Sequence, residues 1–295
     1  MLADGTRFAS GAGLIAASLI AALVWTAALP AGADDGPAEP EEAIERARTL
    51  EREGHPDDAF AYLQDLVHGD EGLARDARVL LELSRLAPSA DASVEFLQGA
   101  ADLARDDEIA ARARAQLGDY MYARGSYMEA AEQYRAAAER SEGAATSALL
   151  NRAASLLAAG DATAAAEVYR ELRDAGETPG ETTPWAILGL GRALLVKGDL
   201  EEAAGEFERL AETYVDHDAR PGALAGAAEA RIALGDVEAA RRWLELLLAE
   251  YPGTYESVLA REDLRSLPPD STRLEGPSGH AGPVPAAGPA DPGAE

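Results

Sequence analysis

From residue 40 to residue 266 apolar positions recur at intervals of three and four, with charged residues between them. That spacing lays one apolar stripe along a helix. The stripe is broken at intervals, and the same arrangement returns at each break. REGHPDDAFAYL (52–63), ARGSYMEAAEQY (123–134), AAGDATAAAEVY (158–169), VKGDLEEAAGEF (196–207) and ALGDVEAARRWL (233–244) place an alanine five residues after a glycine and a bulky residue four beyond that. RLAPSADASVEF (85–96) is a weaker copy with Ala87 in the glycine's place. The reference positions 54, 87, 125, 160, 198 and 235 are spaced by 33, 38, 35, 38 and 37 residues, a period that marks a helical solenoid. The pattern predicts helix pairs near 40–67, 72–104, 107–140, 144–174, 184–214 and 219–250, and one more helix over 254–266. That last helix would cap the apolar face of the final pair.

Each repeated position has a mechanical reason. The glycine ends the first helix of a pair, where a left-handed residue is needed and a β-carbon is costly. The residue after it starts the second helix: Ser126, Asp161, Asp199 and Asp236 are good N-caps. Ser126 with Glu129, and Asp199 with Glu202, are spaced as capping boxes. His55 takes this place in the first copy, followed by Pro56, which is tolerated at the first helical position. The alanines at 59, 92, 130, 165, 203 and 240 are predicted where the two helices cross most closely, and Leu63, Phe96, Tyr134, Tyr169, Phe207 and Leu244 one turn along the same face. Each first helix has a small residue seven before the reference position (Ala47, Gly118, Ala153, Gly191, Ala228), except the weak copy, which has Leu80. Leu50, Leu83, Met121, Leu156, Leu194 and Arg231 follow three later.

This set of positions, with the Leu117-Gly118 pair and the closing Pro252, resembles the tetratricopeptide repeat family over roughly residues 40–252. The resemblance implies an all-α fold: a right-handed solenoid of about six helix-turn-helix repeats with a C-terminal capping helix. It also implies that the first helices line a concave groove in which a protein or peptide partner docks. Carried over by register, the inward positions include Asp119, Tyr122, Trp185, Arg192 and Glu229. The family's carboxylate clamp needs lysine and asparagine where this chain has Ala115, Leu188 and Ala225, so that mode of binding is not supported.

Composition narrows the picture. Of 295 residues 47% are hydrophobic and 5% aromatic, and alanine, the best helix former, supplies much of the apolar share. The formal charge of -27 opposes a nucleic-acid partner. The chain has no cysteine, which excludes disulfides, thiolate metal sites and a lipid-bearing cysteine. Residues 1–33 stand apart: Arg7 precedes an apolar run from Leu14 to Leu29, Pro30 breaks it, and Ala31-Gly32-Ala33 offers a cleavage site. This is the arrangement of a secretory signal. Residues 8–29 are also long enough for an uncleaved anchor in the inner membrane, and either arrangement leaves the remainder in the periplasm. Residues 34–39 read as a linker and residues 268–295 as a disordered Pro/Gly/Ala-rich tail.

Candidate chemistry is sparse. His55, His68, His217 and His280 have no second histidine at helical ligand spacing, so no metal is expected. Asp216-His217-Asp218 forms an acidic loop without the oxygen ligands or terminal glutamate of a calcium site. Gly189-Leu190-Gly191 lacks the third glycine and the preceding strand of a dinucleotide site. No catalytic residue and no cofactor is expected. The function these features favour is a non-enzymatic scaffold of the cell envelope, in its assembly or maintenance. A membrane-anchored, translocon-associated or chaperone-like protein is the alternative, and a self-assembling structural element a further one.

Overall fold

The computed structural model describes residues 39–175 and 182–268. The expected export signal, most of the linker and nearly all of the C-terminal tail lie outside the described residues. The described chain is helical and contains six hairpins. They are α1 (Pro40–Arg52) with α2 (Pro56–Gly69), α4 (Ala77–Leu86) with α5 (Ala90–Leu103), and α6 (Asp107–Ala123) with α7 (Tyr127–Arg140). The others are α8 (Glu142–Ala158) with α9 (Ala162–Ala175), α10 (Thr182–Lys197) with α11 (Leu200–Thr213), and α12 (Arg220–Ala233) with α13 (Val237–Glu250). A short α3 (Glu71–Ala74) follows the first hairpin and α14 (Tyr255–Ser266) follows the last. Among the described residues no helix is long and apolar enough to cross a membrane.

The turns explain the repeated glycine. Gly54, Gly125, Gly160, Gly198 and Gly235 all adopt left-handed φ values between 78° and 92°. At Gly125 the glycine N–H donates to the Tyr122 carbonyl at 3.0 Å and the following Ser126 N–H to the Met121 carbonyl at 2.9 Å. This crossed pair satisfies the last carbonyls of the first helix. It recurs at the other four turns, where Leu50, Leu156, Leu194 and Arg231 accept the bond that spans five residues. It also overturns one expectation. The N–H that a capping-box glutamate would accept is already spent, so Glu129 and Glu202 close no capping box, and neither the Ser126 nor the Asp199 side chain caps its helix. Asp199 pairs with Lys197 instead, at 2.7 Å. Asp161 and Asp236 do cap, accepting from Ala164 and Ala239 at 3.0 and 3.1 Å.

The second hairpin departs further. Its first helix is split: Asp76 caps α4 after the single turn of α3. Ala87 sits at φ -57°, ψ 136°, an extended conformation, because Pro88 disfavours helical backbone before it. Without a left-handed residue the chain reverses through Ala87 and Pro88, and Ser89, one position later than expected, caps α5. The second helix is therefore shifted by one from its expected register. Leu97 is buried where Phe96 was expected, and Ser93 takes the crossing in place of Ala92, its hydroxyl donating to the Ser84 carbonyl at 2.8 Å. In the other hairpins Ala59, Ala130, Ala165, Ala203 and Ala240 are fully buried at the crossing.

Substantial contacts join helices that are neighbours in the stack, as in a quasi-one-dimensional array. First helices touch successive first helices all along the molecule (α1, α4, α6, α8, α10, α12 and α14), whereas no comparable contact joins successive second helices. A stack whose one row is closer than the other bends towards the closer row, so the first helices form the concave side. Across the wider outer gap, long side chains reach between α9 and α11: Arg170 to Glu202 at 2.8 Å and Arg173 to Glu206 at 2.6 Å. The apolar interior forms two large clusters, one from α1 to α6 and one from α7 to α14. A small seam of Ala111, Ala137 and Ala148 lies between them.

Candidate functional site: the concave face

The inner face of the C-terminal hairpins rests on close backbone approach. A β-carbon added to Gly191 would sit 2.5 Å from the Phe207 ring, and one added to Gly226 of the next first helix 2.6 Å from the same ring. Phe207 is thus clasped between two glycines. Tyr169 lies against Gly189 in the same way, and Tyr134 against Gly118 at 2.8 Å. Gly191 was expected at such a crossing; Gly189 and Gly226 were not, because their partners belong to the preceding hairpin.

All five residues expected on the inner face are exposed, each on the first helix of its hairpin. Asp119 accepts a hydrogen bond from the Tyr134 hydroxyl at 2.5 Å. Burial first, and then this bond, hold the Tyr134 phenol well above its usual pKa. Tyr122, one turn along α6, stands edge-on to Tyr127 with ring centroids 5.1 Å apart. Trp185 is 40% exposed and meets the edge of His217 at 5.5 Å. His217 accepts from the Ala219 N–H at 3.0 Å, which orients its ring. Arg192 makes no ion pair among the described residues and lies beside Gly222, 3.7 Å from where a β-carbon would be. Glu229 is exposed on α12, likewise without an ion pair.

The structure does not gather these five into one pocket. Asp119 and Tyr122 share a face of α6; Trp185 and Arg192 share a face of α10, with Glu229 on the adjoining α12. The buried Tyr169 lies between the two groups. Its phenol is pushed up to about 12, mainly by burial, with Arg192 opposing the rise and Tyr122 adding to it.

A second region went unnoticed in the sequence. A cavity of about 370 Å³ opens on the inner face of α1, α4 and α6, lined by Glu41, Ile44, Glu45, Arg48, Arg78, Leu81, Glu82, Arg85, Glu108, Ile109, Arg112 and Gln116. Glu82 is 6% exposed and is held by Arg48 at 3.3 Å and Arg85 at 2.7 Å. Arg85 also forks onto Glu51, with both bonds at 2.6 Å, and this pair holds the Glu51 carboxyl below its usual range. Arg78 joins Asp76 at 2.7 Å to Glu41 at 2.5 Å. A signal was present: Arg112 occupies the same place in its repeat as Trp185. What hid the rest is that ion pairs between helices 34 residues apart leave no local pattern.

Two further polar clusters brace the C-terminal half. Arg231 forks onto Glu208 at 2.7 and 2.8 Å, and the Trp243 indole donates to the same carboxylate at 3.1 Å. Arg220, 8% exposed, donates to the Ala211 carbonyl at 2.8 Å and to Glu250, tying the start of α12 to the ends of α11 and α13.

Stacked helical hairpins with a concave row of first helices define an α-solenoid of the kind that binds through shape. Comparison sharpens this: residues 115–180 and 188–254 match the tetratricopeptide repeat family. The hairpins α1/α2 and α4/α5 fall outside the matched segments. No curated protein matches the sequence. Among solved structures the fold is similar to a tetratricopeptide repeat protein from Parabacteroides merdae, with TM-score 0.57, 15% identity and coverage of 77% of this chain and 85% of that one. It is also similar to PilW, a type IV pilus biogenesis factor (0.53, 19%, 75% and 98%), and to Pseudomonas aeruginosa PilF (0.52, 15%, 76% and 97%). At these identities the likeness concerns the fold alone.

Proposed function

We propose that this chain is an exported, non-catalytic scaffold that holds a protein or peptide partner from the cell envelope against its concave face. One observation carries the reading. Helix α10 is buried on almost every side, with ten of its sixteen residues in the core. Trp185 and Arg192, two turns apart on one face, are exposed on it. Tryptophan and arginine are the usual anchors of protein interfaces. Neither is used up by the fold: Trp185 makes one edge-to-face contact with His217, and among the described residues Arg192 has no carboxylate partner, in a chain that has twice as many acids as bases. Export rests on the signal-like arrangement of residues 1–33, and N-terminal sequencing decides between cleavage after Ala33 and retention as an anchor.

The test is affinity capture from envelope extracts with the wild-type chain and with Trp185→Ala/Arg192→Ala. The wild type is expected to return one dominant protein. The double variant is expected to lose it while keeping the helical circular dichroism signal. Full retention by a folded double variant refutes the groove assignment. Self-association is a second reading, favoured by α14, whose Tyr255, Val258 and Leu259 are 73%, 51% and 44% exposed. A molar mass that rises with concentration in light scattering supports it.

A further inference from the structure

The cavity on α1, α4 and α6 has a chemistry different from that of the Trp185–Arg192 face. Its floor is aliphatic, from Ile44, Leu81 and Ile109. Its arginines on α1 and α4 are fully engaged, since each is tied to carboxylates that hold it in place. Arg112 is the exception. Glu108 lies one turn before it, the favourable spacing for a helical ion pair. That carboxylate instead accepts a hydrogen bond from the Ser141 hydroxyl, the N-cap of α8. Arg112 is left with no carboxylate partner among the described residues, on the wall of a cavity, in a chain of net charge -27. An unengaged guanidinium next to an aliphatic floor complements one kind of occupant: an aliphatic side chain followed by a carboxylate. The braced arginines around it keep the cavity's shape, so an occupant finds it already ordered.

We infer that this cavity is a second docking point on the concave face, which takes an acidic–aliphatic segment of a protein partner with its carboxylate on Arg112 and its aliphatic side chain on Ile44, Leu81 and Ile109. The inference rests on reading the concave face as a docking surface, but it concerns a site distinct from Trp185 and Arg192.

Short fluorescein-labelled peptides test it, each with leucines flanking a central glutamate, glutamine or lysine, titrated against the full chain in fluorescence anisotropy. The glutamate peptide is expected to bind about tenfold more tightly than the lysine peptide, the effect of one charge-assisted hydrogen bond. Arg112→Gln is expected to erase that preference without changing thermal unfolding, while Trp185→Ala/Arg192→Ala leaves it intact. The preference is expected to shrink as salt rises, since the charge is partly exposed. Absence of saturable binding by the glutamate peptide overturns the inference, as does a preference that survives Arg112→Gln. A preference lost in the Trp185/Arg192 variant but kept in Arg112→Gln overturns it while leaving the proposed function standing. Loss of envelope capture in that double variant has no bearing on the peptide preference, so the two readings fail separately.

Discussion

Hairpins α4/α5 and α10/α11 solve the same packing problem with large and small residues exchanged. In α10/α11 the small residue is on the first helix and the large one on the second: Gly191 against Phe207. In α4/α5 the first helix carries Leu80 and the second carries Gly99, whose added β-carbon would lie 3.2 Å from a Leu80 methyl. The two also differ in how they turn and how they are held. The C-terminal hairpin reverses through a left-handed glycine and is clasped by apolar contacts; the N-terminal one reverses through Ala87-Pro88 and is stitched to α1 by ion pairs. The lesson is that the repeat is a volume rule between two helices rather than a rule about either helix. A sequence motif tied to one helix loses sight of a repeat that meets the same rule from the other side.

The largest effect that would separate the two halves is expected at Glu82. Removing this buried carboxylate by Glu82→Ala leaves Arg48 and Arg85 without their shared partner, at about 3 kcal/mol. Chemical denaturation should show the loss in an early N-terminal transition, with the C-terminal hairpins unaffected; a uniform shift of a single transition would mean the halves are not energetically distinct. Next comes one substitution made at two places. Gly191→Ala forces a methyl into the Phe207 ring and is expected to destabilise by about 2 kcal/mol. Gly99→Ala meets only the movable end of Leu80, and the gain in helix propensity of about 1 kcal/mol offsets it. Equal denaturation midpoints for these variants would erase the distinction between the hairpins.

The turns give a smaller contrast. Gly160→Ala places a β-carbon at φ 88° and is expected to cost about 1 kcal/mol. Ala87→Gly acts mainly by loosening the unfolded chain and should cost less than about 1 kcal/mol. The smallest effect is alkaline. Burial disfavours the Tyr169 phenolate and moves its pKa from the ordinary 10.0 to about 12. The folded state therefore holds this proton more tightly than the unfolded one. The associated stability is intact below pH 10 and is lost as the pH rises towards 12. Tyr169→Phe should flatten the fall of the denaturation midpoint across that window, and an unchanged slope would place the alkaline sensitivity elsewhere.

Much of this architecture was legible in the residues themselves. The five left-handed turns fall at the five repeated glycines, and the fully buried crossings at five of the six expected alanines, because both depend on contacts within one hairpin. The same short range explains why Asp119, Tyr122, Trp185, Arg192 and Glu229, picked by register alone, fall at exposed positions of the first helices. The misses share the opposite cause. The clasp of Phe207 by Gly226, the shifted register of α5, and the choice of Ser141 rather than Arg112 by Glu108 each depend on a neighbouring element or on the geometry of a turn. By itself, then, the order of amino acids settled the helices, their pairing and the all-α class, since periodicity and glycine's freedom act over one or two turns. The packed molecule alone decided which side is concave, which arginines are left unengaged and where a cavity opens, because those follow from the competition of side chains far apart in the chain for the same partners.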